Sequence, residues 1–352
     1  MKKRRLWVCI GLLLLVIGGI LTALLEPTQT VRGYFAGDAF YRGRPTRYWR
    51  EQLRADGRDF YVSQKNVQLF RETQEAFPVL RACASDPNRY VRWRVIALLG
   101  QGNARSEDIL SVLVGALDDG NVDVCLKAIS ALDQWGPMAR SAVPALAKLL
   151  KDPEIQIAYA ADTALWNIDP SAAVKECGWK PFRSNDWNFT VMLSNEPEHT
   201  EESLIFYSVH MYVSVHKYGP HTGDSAYGIG VFEIPTEWLE GKSKEDFLAK
   251  ARDSTVERFG GKLIGGQPVE QNGRSGIEYR IEVERDGTPL LVRARLFWVD
   301  NRLYQVYVSG VPKFLNARAA DYFMDSFQVD KPERKGSVPS GSPHPQQNQH
   351  RK

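Results

Sequence analysis

A 33-residue period between residues 78 and 165 constrains this chain of 352 residues more than any other feature. Pro78, Ser111 and Pro144 open equivalent helical patterns, which close at Asp86-Pro87, Asp118-Asp119-Gly120 and Asp152-Pro153. The second helix of each unit keeps step. Val91, Val124 and Ile157 correspond, as do Val95, Ala128 and Ala161, then Leu98, Ala131 and Ala164, and finally Leu99, Leu132 and Leu165. Small residues let antiparallel helices approach closely, and leucines fill the seam between stacked hairpins. Pro at a helix start, with Asp and Pro or Gly after its end, is the boundary chemistry such a pair needs. Because one such unit cannot bury its apolar face alone, residues 45–175 predict an all-α repeat array. A degenerate first unit, drawn from 45–53 and 67–76, predicts the cap of that array.

Beyond Ala172-Ala173 the helical period gives way to a two-residue one. Ile205, Tyr207, Val209, Met211, Val213 and Val215 alternate with Phe206, Ser208, His210, Tyr212, Ser214 and His216, the pattern of a half-buried strand. Ile277, Tyr279, Ile281 and Val283 alternate likewise, Asp286-Gly287 supplies a turn, and Val292, Ala294, Leu296 and Trp298 return. Asp300-Asn301 makes the next turn before a strand over 303–308. Two helices interrupt the strands: one from Ser243, whose hydroxyl can cap the free amides near Asp246, to Gly260-Gly261, and one over 316–327. This order predicts an α+β domain over 178–330, an antiparallel sheet covered by helices. The tail at 331–352, rich in Pro, Ser and Gln, holds too little apolar surface to fold.

The N-terminus adds a third expectation. Lys2, Lys3, Arg4 and Arg5 form a basic flank at 1–5, and 6–25 follow without one charged residue. Twenty such residues at 1.5 Å rise match the ~30 Å hydrocarbon core of a bilayer. The segment therefore predicts one uncleaved transmembrane helix, with 26–44 as linker. The basic flank stays cytoplasmic and the bulk of the chain faces outward. The alternative is a signal peptide whose removal leaves a secreted protein, although 22–26 offer no good small-x-small cleavage site.

Composition excludes more than it names. A net charge of +3 with interspersed signs gives no basic stripe, so nucleic acid is not an expected partner. Cys9, Cys83, Cys125 and Cys177 form no CxxC pair; Cys9 opens the apolar segment and cannot be the lipidated residue that follows one. Buried thiols are expected at Cys83 and Cys125. His199, His210, His216 and His221 cluster in sequence, yet His210 and His216 stand six residues apart on one strand, roughly 20 Å, too far for one metal. His216 and His221 could meet across the 218–220 turn, but a third ligand is missing. Gly241-Lys242-Ser243 lacks the earlier glycine of a P-loop, since Thr236 stands there, and Ser275 lacks the glycine spacing of a nucleophile elbow. Trp166, Trp179 and Trp298 read as core, whereas Trp49 and Trp135 are candidates to line a groove of the array.

Residues 144–152, the Ala161, Ala164 and Leu165 triplet and the 135–139 turn resemble HEAT-like repeats of the short-period, phycobilisome-lyase type. Residues 41–49 resemble the lead-in to HEAT repeats in membrane-anchored proteins of planctomycete-type bacteria. In the second domain, Trp179 to Phe182, 189–193, 302–306 and 325–327 resemble the PsbP/Mog1-like α/β/α sandwich. These resemblances imply a scaffold whose array surface binds a protein partner, with no catalytic, cofactor-binding or metal residue to carry over and no cofactor. The expected function is thus a non-catalytic, membrane-anchored, extracytoplasmic binding module. An enzyme or metal-binding protein using the sheet face around His210, Tyr212 and His216 is the alternative.

Overall fold

The computed structural model describes residues 2–330 except 56–61, 71, 72, 205, 206, 217–224, 236–240, 242, 286, 313, 314 and 316. It gives backbone alone for 2–9, 22–25, 69, 73, 201–204, 207–216, 225 and 317. The tail at 331–352, His221 with the 218–220 turn, Thr236, Lys242 and Asp286 lie outside the described residues. The N-terminal half is helical and the C-terminal half carries an antiparallel sheet, an α+β, multidomain arrangement.

The chain opens with α1 (Lys2–Leu25), whose described side chains at 10–21 are all exposed. Among the described residues no helix is long and apolar enough to cross a membrane. Next come α2 (Thr30–Phe35) and a hairpin of β1 (Phe40–Tyr41) and β2 (Arg44–Pro45). They lead into α3 (Thr46–Ala55), α4 (Gln64–Leu69) and α5 (Thr73–Cys83). Residues 67–76 are thus split between the end of α4 and the start of α5 rather than forming one capping helix.

The array continues as α6 (Arg89–Gln101), α7 (Glu107–Gly115), α8 (Val122–Trp135), α9 (Val143–Leu149), α10 (Ile155–Ile168) and α11 (Pro170–Glu176). Helix α8 packs between α6 and α10, and all twelve residues that keep the period on these three helices are buried. A Cβ on Gly100 would stand 2.6 Å from the Cβ of Ala131, so α6 and α8 meet at a contact only glycine permits. The period also governs the turns. Asp86, Asp119 and Asp152 each accept, through Oδ1, the backbone N–H two residues on, at 2.8, 2.9 and 2.8 Å. Asn88 and Asn121 then cap α6 and α8 through Tyr90 and Val124. The turn at 135–139 is closed by Gly136, whose φ of 55° and ψ of −134° suit glycine alone.

Helix starts depart from expectation. Pro144 lies in the first turn of α9, but α5 begins at Thr73 with Pro78 inside it, and α7 begins at Glu107 under the Ser106 cap. Proline forfeits one helical hydrogen bond, and burial of Ala76, Val79 and Leu80 carries α5 through that loss.

The second half holds β3 (Lys180–Ser184), β4 (Phe189–Leu193), β5 (Glu198–Leu204), β6 (Tyr207–His216) and β7 (Ser225–Glu233). After α12 (Lys244–Phe259) come β8 (Lys262–Gln271), β9 (Arg274–Arg285), β10 (Thr288–Val299), β11 (Arg302–Gly310), α13 (Ala317–Ser326) and β12 (Gln328–Val329). Seven strands form one antiparallel sheet in the order β5-β6-β7-β11-β10-β9-β8, and β12-β4-β3 form a second. Strands β5, β7 and β8 have no counterpart in the sequence reading. β8 is largely exposed and carries a bulge at Leu263/Gly265, so it lacks clean alternation. Ser243 caps α12 by accepting the Asp246 N–H at 3.1 Å, and Gly260 ends it in the left-handed region.

Apolar clusters lie on both faces of the large sheet at β10 and β11. Tyr279, Ile281, Val292, Ala294 and Leu296 pack with Leu248 of α12 in one cluster. On the opposite face Tyr227, Ile229, Val231, Phe297 and Val306 join Phe323 of α13, Phe189 of β4 and the core of the helical half in a second cluster. The apolar core is therefore continuous across 175–178.

Candidate functional site

Three places collect side chains with chemical potential, and the first is the surface of the helical array. Trp93 of α6, Leu126 of α8 and Tyr159 of α10 stand in step with the period, and each is half-buried rather than buried. The Lys127 ammonium lies 5.0 Å from the centre of the Trp93 ring, a cation–π pair bridging α6 and α8. Burial lowers the Lys127 pKa. Trp49 and Trp135, the tryptophans expected in a groove, are 4% and 5% exposed and belong to the core. Trp49 donates from Nε1 to the Tyr41 carbonyl at 3.0 Å, and Trp135 lies under Arg105, 4.6 Å from its ring centre. Both occupy inward positions of their helices, whereas Trp93 points from the flank. The signal for Trp93 was its place 33 residues before Leu126.

The second place is the junction of the halves. Trp179 meets Trp166, Tyr322 and Tyr227 edge-on at 5.9, 5.5 and 5.5 Å, and Tyr227 meets Phe323 at 5.3 Å. Cys177 donates to the Asp162 Oδ1 at 3.1 Å. Burial, reinforced by Asp162, pushes the Cys177 thiol and the Tyr227 phenol far up. Burial also pushes Cys83 and Cys125 up to about 11. These shifts run opposite to the activation a nucleophilic thiolate requires.

A third place escaped the sequence reading. Glu278 of β9 binds Arg293 at 2.9 Å and Arg295 at 2.7 Å, both on β10. Arg293 also pairs with Asp321, and Arg295 with Asp325 at 2.7 Å, on α13, while Gln271 accepts from Arg295 at 2.9 Å. Burial alone would raise the Glu278 pKa, but the hydrogen bonds from Arg293 and Arg295 outweigh it and lower the carboxyl. Each carboxylate of the cluster pairs with an arginine, and Asp321 and Asp325, its solvent-facing end, tie α13 to the sheet. Its residues fall between the apolar ones of β9 and β10, so a two-residue alternation does not mark them as buried.

The histidines do not converge among the described residues. His199 is exposed on β5 and pairs in register with Tyr212. On the β6 backbone, His210 lies opposite Glu201 and Val231, and His216 opposite Ser225 at the strand's end. No group of three His, Cys, Asp or Glu suited to a metal occurs among the described residues. Ser275 sits within β9, opposite Glu270, far from any strand-to-helix elbow. A cleft of about 580 Å³ beyond α12 is lined by Gly261, Lys262, Glu282, Val283, Glu284 and Leu290 among others, and its described lining holds no histidine, serine, threonine or cysteine.

The class defined at this point is a helical array joined to an antiparallel α+β unit. No family model matches the chain. No curated protein matches it either. Among solved structures, a protein of unknown function from Pseudomonas aeruginosa is similar at 11% identity and TM-score 0.31, over 44% of this chain and 98% of its own. The cyanobacterial PsbP of Synechocystis is similar at 10% identity and TM-score 0.33, over 44% and 93%. A Bacteroides thetaiotaomicron protein is similar at 16% and TM-score 0.27, over 44% and 49%.

Proposed function

We propose that this chain is a membrane-anchored, extracytoplasmic scaffold without catalytic activity, in which a HEAT-like array binds a protein partner and a PsbP/Mog1-like unit braces it. The observation that carries the reading is the array itself. Three helix pairs share one period in core and turn, and the positions that keep the period without being buried present Trp93, with Lys127 stacked on it, to the surface. A half-buried aromatic beside a cation is the composition of an interface hot spot. Tyr159 and Asp162 of α10 approach the second half, which leaves α6 and α8 as the accessible stretch. The anchor rests on the uncharged stretch 6–25 within α1, whose basic start sets the orientation.

The test is capture from solubilised membranes with the full chain as bait. Wild type is expected to return one protein at constant stoichiometry, and Trp93→Ala with Lys127→Glu to lose it while the melting temperature holds. Lys148→Glu, exposed on α9, should retain it. Equal capture by all three baits, or capture by none, would defeat the assignment of the binding surface.

A further inference from the structure

We infer that the segment just beyond α1 makes a second membrane contact: Val31, Tyr34 and Phe35 enter the headgroup layer of the bilayer that 6–25 span, with Arg32 and Arg42 against anionic lipid. This rests on the anchor reading proposed above. Outside α1, the large apolar side chains exposed among the described residues are Val31, Tyr34, Phe35, Phe40, Met138 and Ile264. Four of the six lie within ten residues that begin just after the anchor. Tyr34 is 75% exposed and Phe35 83%, their rings edge-on at 5.8 Å. Exposed apolar side chains scattered singly need no explanation, but a cluster marks a contact surface.

The cluster is also held in place. The Val31 N–H donates to Glu26 Oε2 at 3.0 Å, and Thr28 Oγ1 donates to the same carboxylate, which fixes the turn between α1 and α2. Gln29 Nε2 donates to Glu51 Oε2 of α3 at 2.7 Å. On its inner side Gly33 is pressed against Pro45, where a Cβ would come within 2.3 Å of the ring. Asp38 accepts from the Arg47 backbone at 3.2 Å and from its Nε at 2.8 Å, closing the platform. Tyr34 and Phe35 thus project from a braced helix whose opposite side is occupied.

Lipid is the occupant for three reasons. Residues 26–29 alone separate α2 from α1, and the two helices touch, so the patch continues the apolar surface of the anchor. Six helical residues rise about 9 Å, comparable to a headgroup layer of roughly 5–8 Å on each side of the core. Aromatic side chains concentrate at this level, and exposed arginines such as Arg32 and Arg42 are drawn to anionic lipid.

The experiment places photoreactive benzoylphenylalanine at Phe35, and separately at the exposed Met138 of the array. Full chain is reconstituted in vesicles of phosphatidylcholine with phosphatidylglycerol and irradiated. A lipid-sized mass increase at 35 and none at 138 is expected, with a lower yield when phosphatidylglycerol is replaced by phosphatidylcholine. Vesicle-bound chain with no adduct at 35, or with adducts at both positions, overturns the inference while the anchor stands. An unchanged yield without anionic lipid overturns the part given to Arg32 and Arg42. Chain that alkaline carbonate washes from the vesicles overturns the anchor reading, and this inference with it.

Discussion

The two halves of the molecule bury charge in different ways. In the array, the Asp86 carboxylate is wholly buried, yet its partners Arg50 and Arg54 keep 36% and 45% of their side-chain surface in water. In the sheet half, Glu278, Arg293 and Arg295 are 8%, 17% and 9% exposed, so neither partner of Glu278 has ready access to solvent. An array grows by adding units, and the arginine ends of the Asp86 pairs stay at the edge of a thin stack. A sheet covered on both faces at β10 and β11 closes over its charges. The same pair chemistry is therefore more consequential in the second half.

Breaking one ion-pair centre in each half gives the sharpest contrast. Glu278→Ala should cost about 3–5 kcal/mol, because two guanidinium groups are left in a buried place with fewer partners. Asp86→Ala should cost about 1–2 kcal/mol, chiefly the lost turn bond to Asn88, since its arginines return to water. Chemical denaturation measures both, and equal costs would erase the distinction drawn between the halves. The pH dependence sharpens it. The folded Glu278 pKa lies below its unfolded value, so its contribution is complete above the unfolded value of about 4.3 and is lost as pH falls through the folded one. The stability gap between wild type and Glu278→Gln should hold at neutral pH and shrink below about pH 4. A gap that widens in acid would reverse the assigned sign.

Within the array, Leu132→Ala and Leu165→Ala occupy equivalent, fully buried seam positions and should each cost about 2–5 kcal/mol by cavity formation. Asn121→Ala, which removes the α8 cap, should cost about 1 kcal/mol. Lys148→Ala and Glu154→Ala, both exposed, should stay within about 0.5 kcal/mol. Comparable effects at Leu132, Leu165, Lys148 and Glu154 would mean that the period is not a packed repeat.

The smallest expected effect concerns the histidines. His210→Gln with His216→Gln should leave the melting temperature unchanged, with or without zinc and chelator. A zinc-dependent rise confined to wild type would favour the metal or enzyme alternative, because ligand binding to the folded state stabilises it.

What the sequence determined by itself is what short-range physics fixes. The 33-residue step was legible because buried apolar positions and aspartate turns are each set within a few residues of chain. Hairpins around Gly287 and Asp300 and the Ser243 cap were legible for the same reason. Strands β5, β7 and β8 were not. β7 pairs Tyr227 with Val308 across most of the domain, and β8 is a bulged edge whose side chains alternate poorly. Tertiary structure alone decided which tryptophan meets water. Trp49, Trp135 and Trp93 all sit on amphipathic helices, and the neighbouring helix that covers a flank is not encoded in the flank. It also decided that Glu278 and Arg295 are buried, because α13 and its aspartates arrive from more than twenty residues further along the chain. A local pattern records which side chains avoid water, but a charged side chain is buried only when distant partners come to meet it.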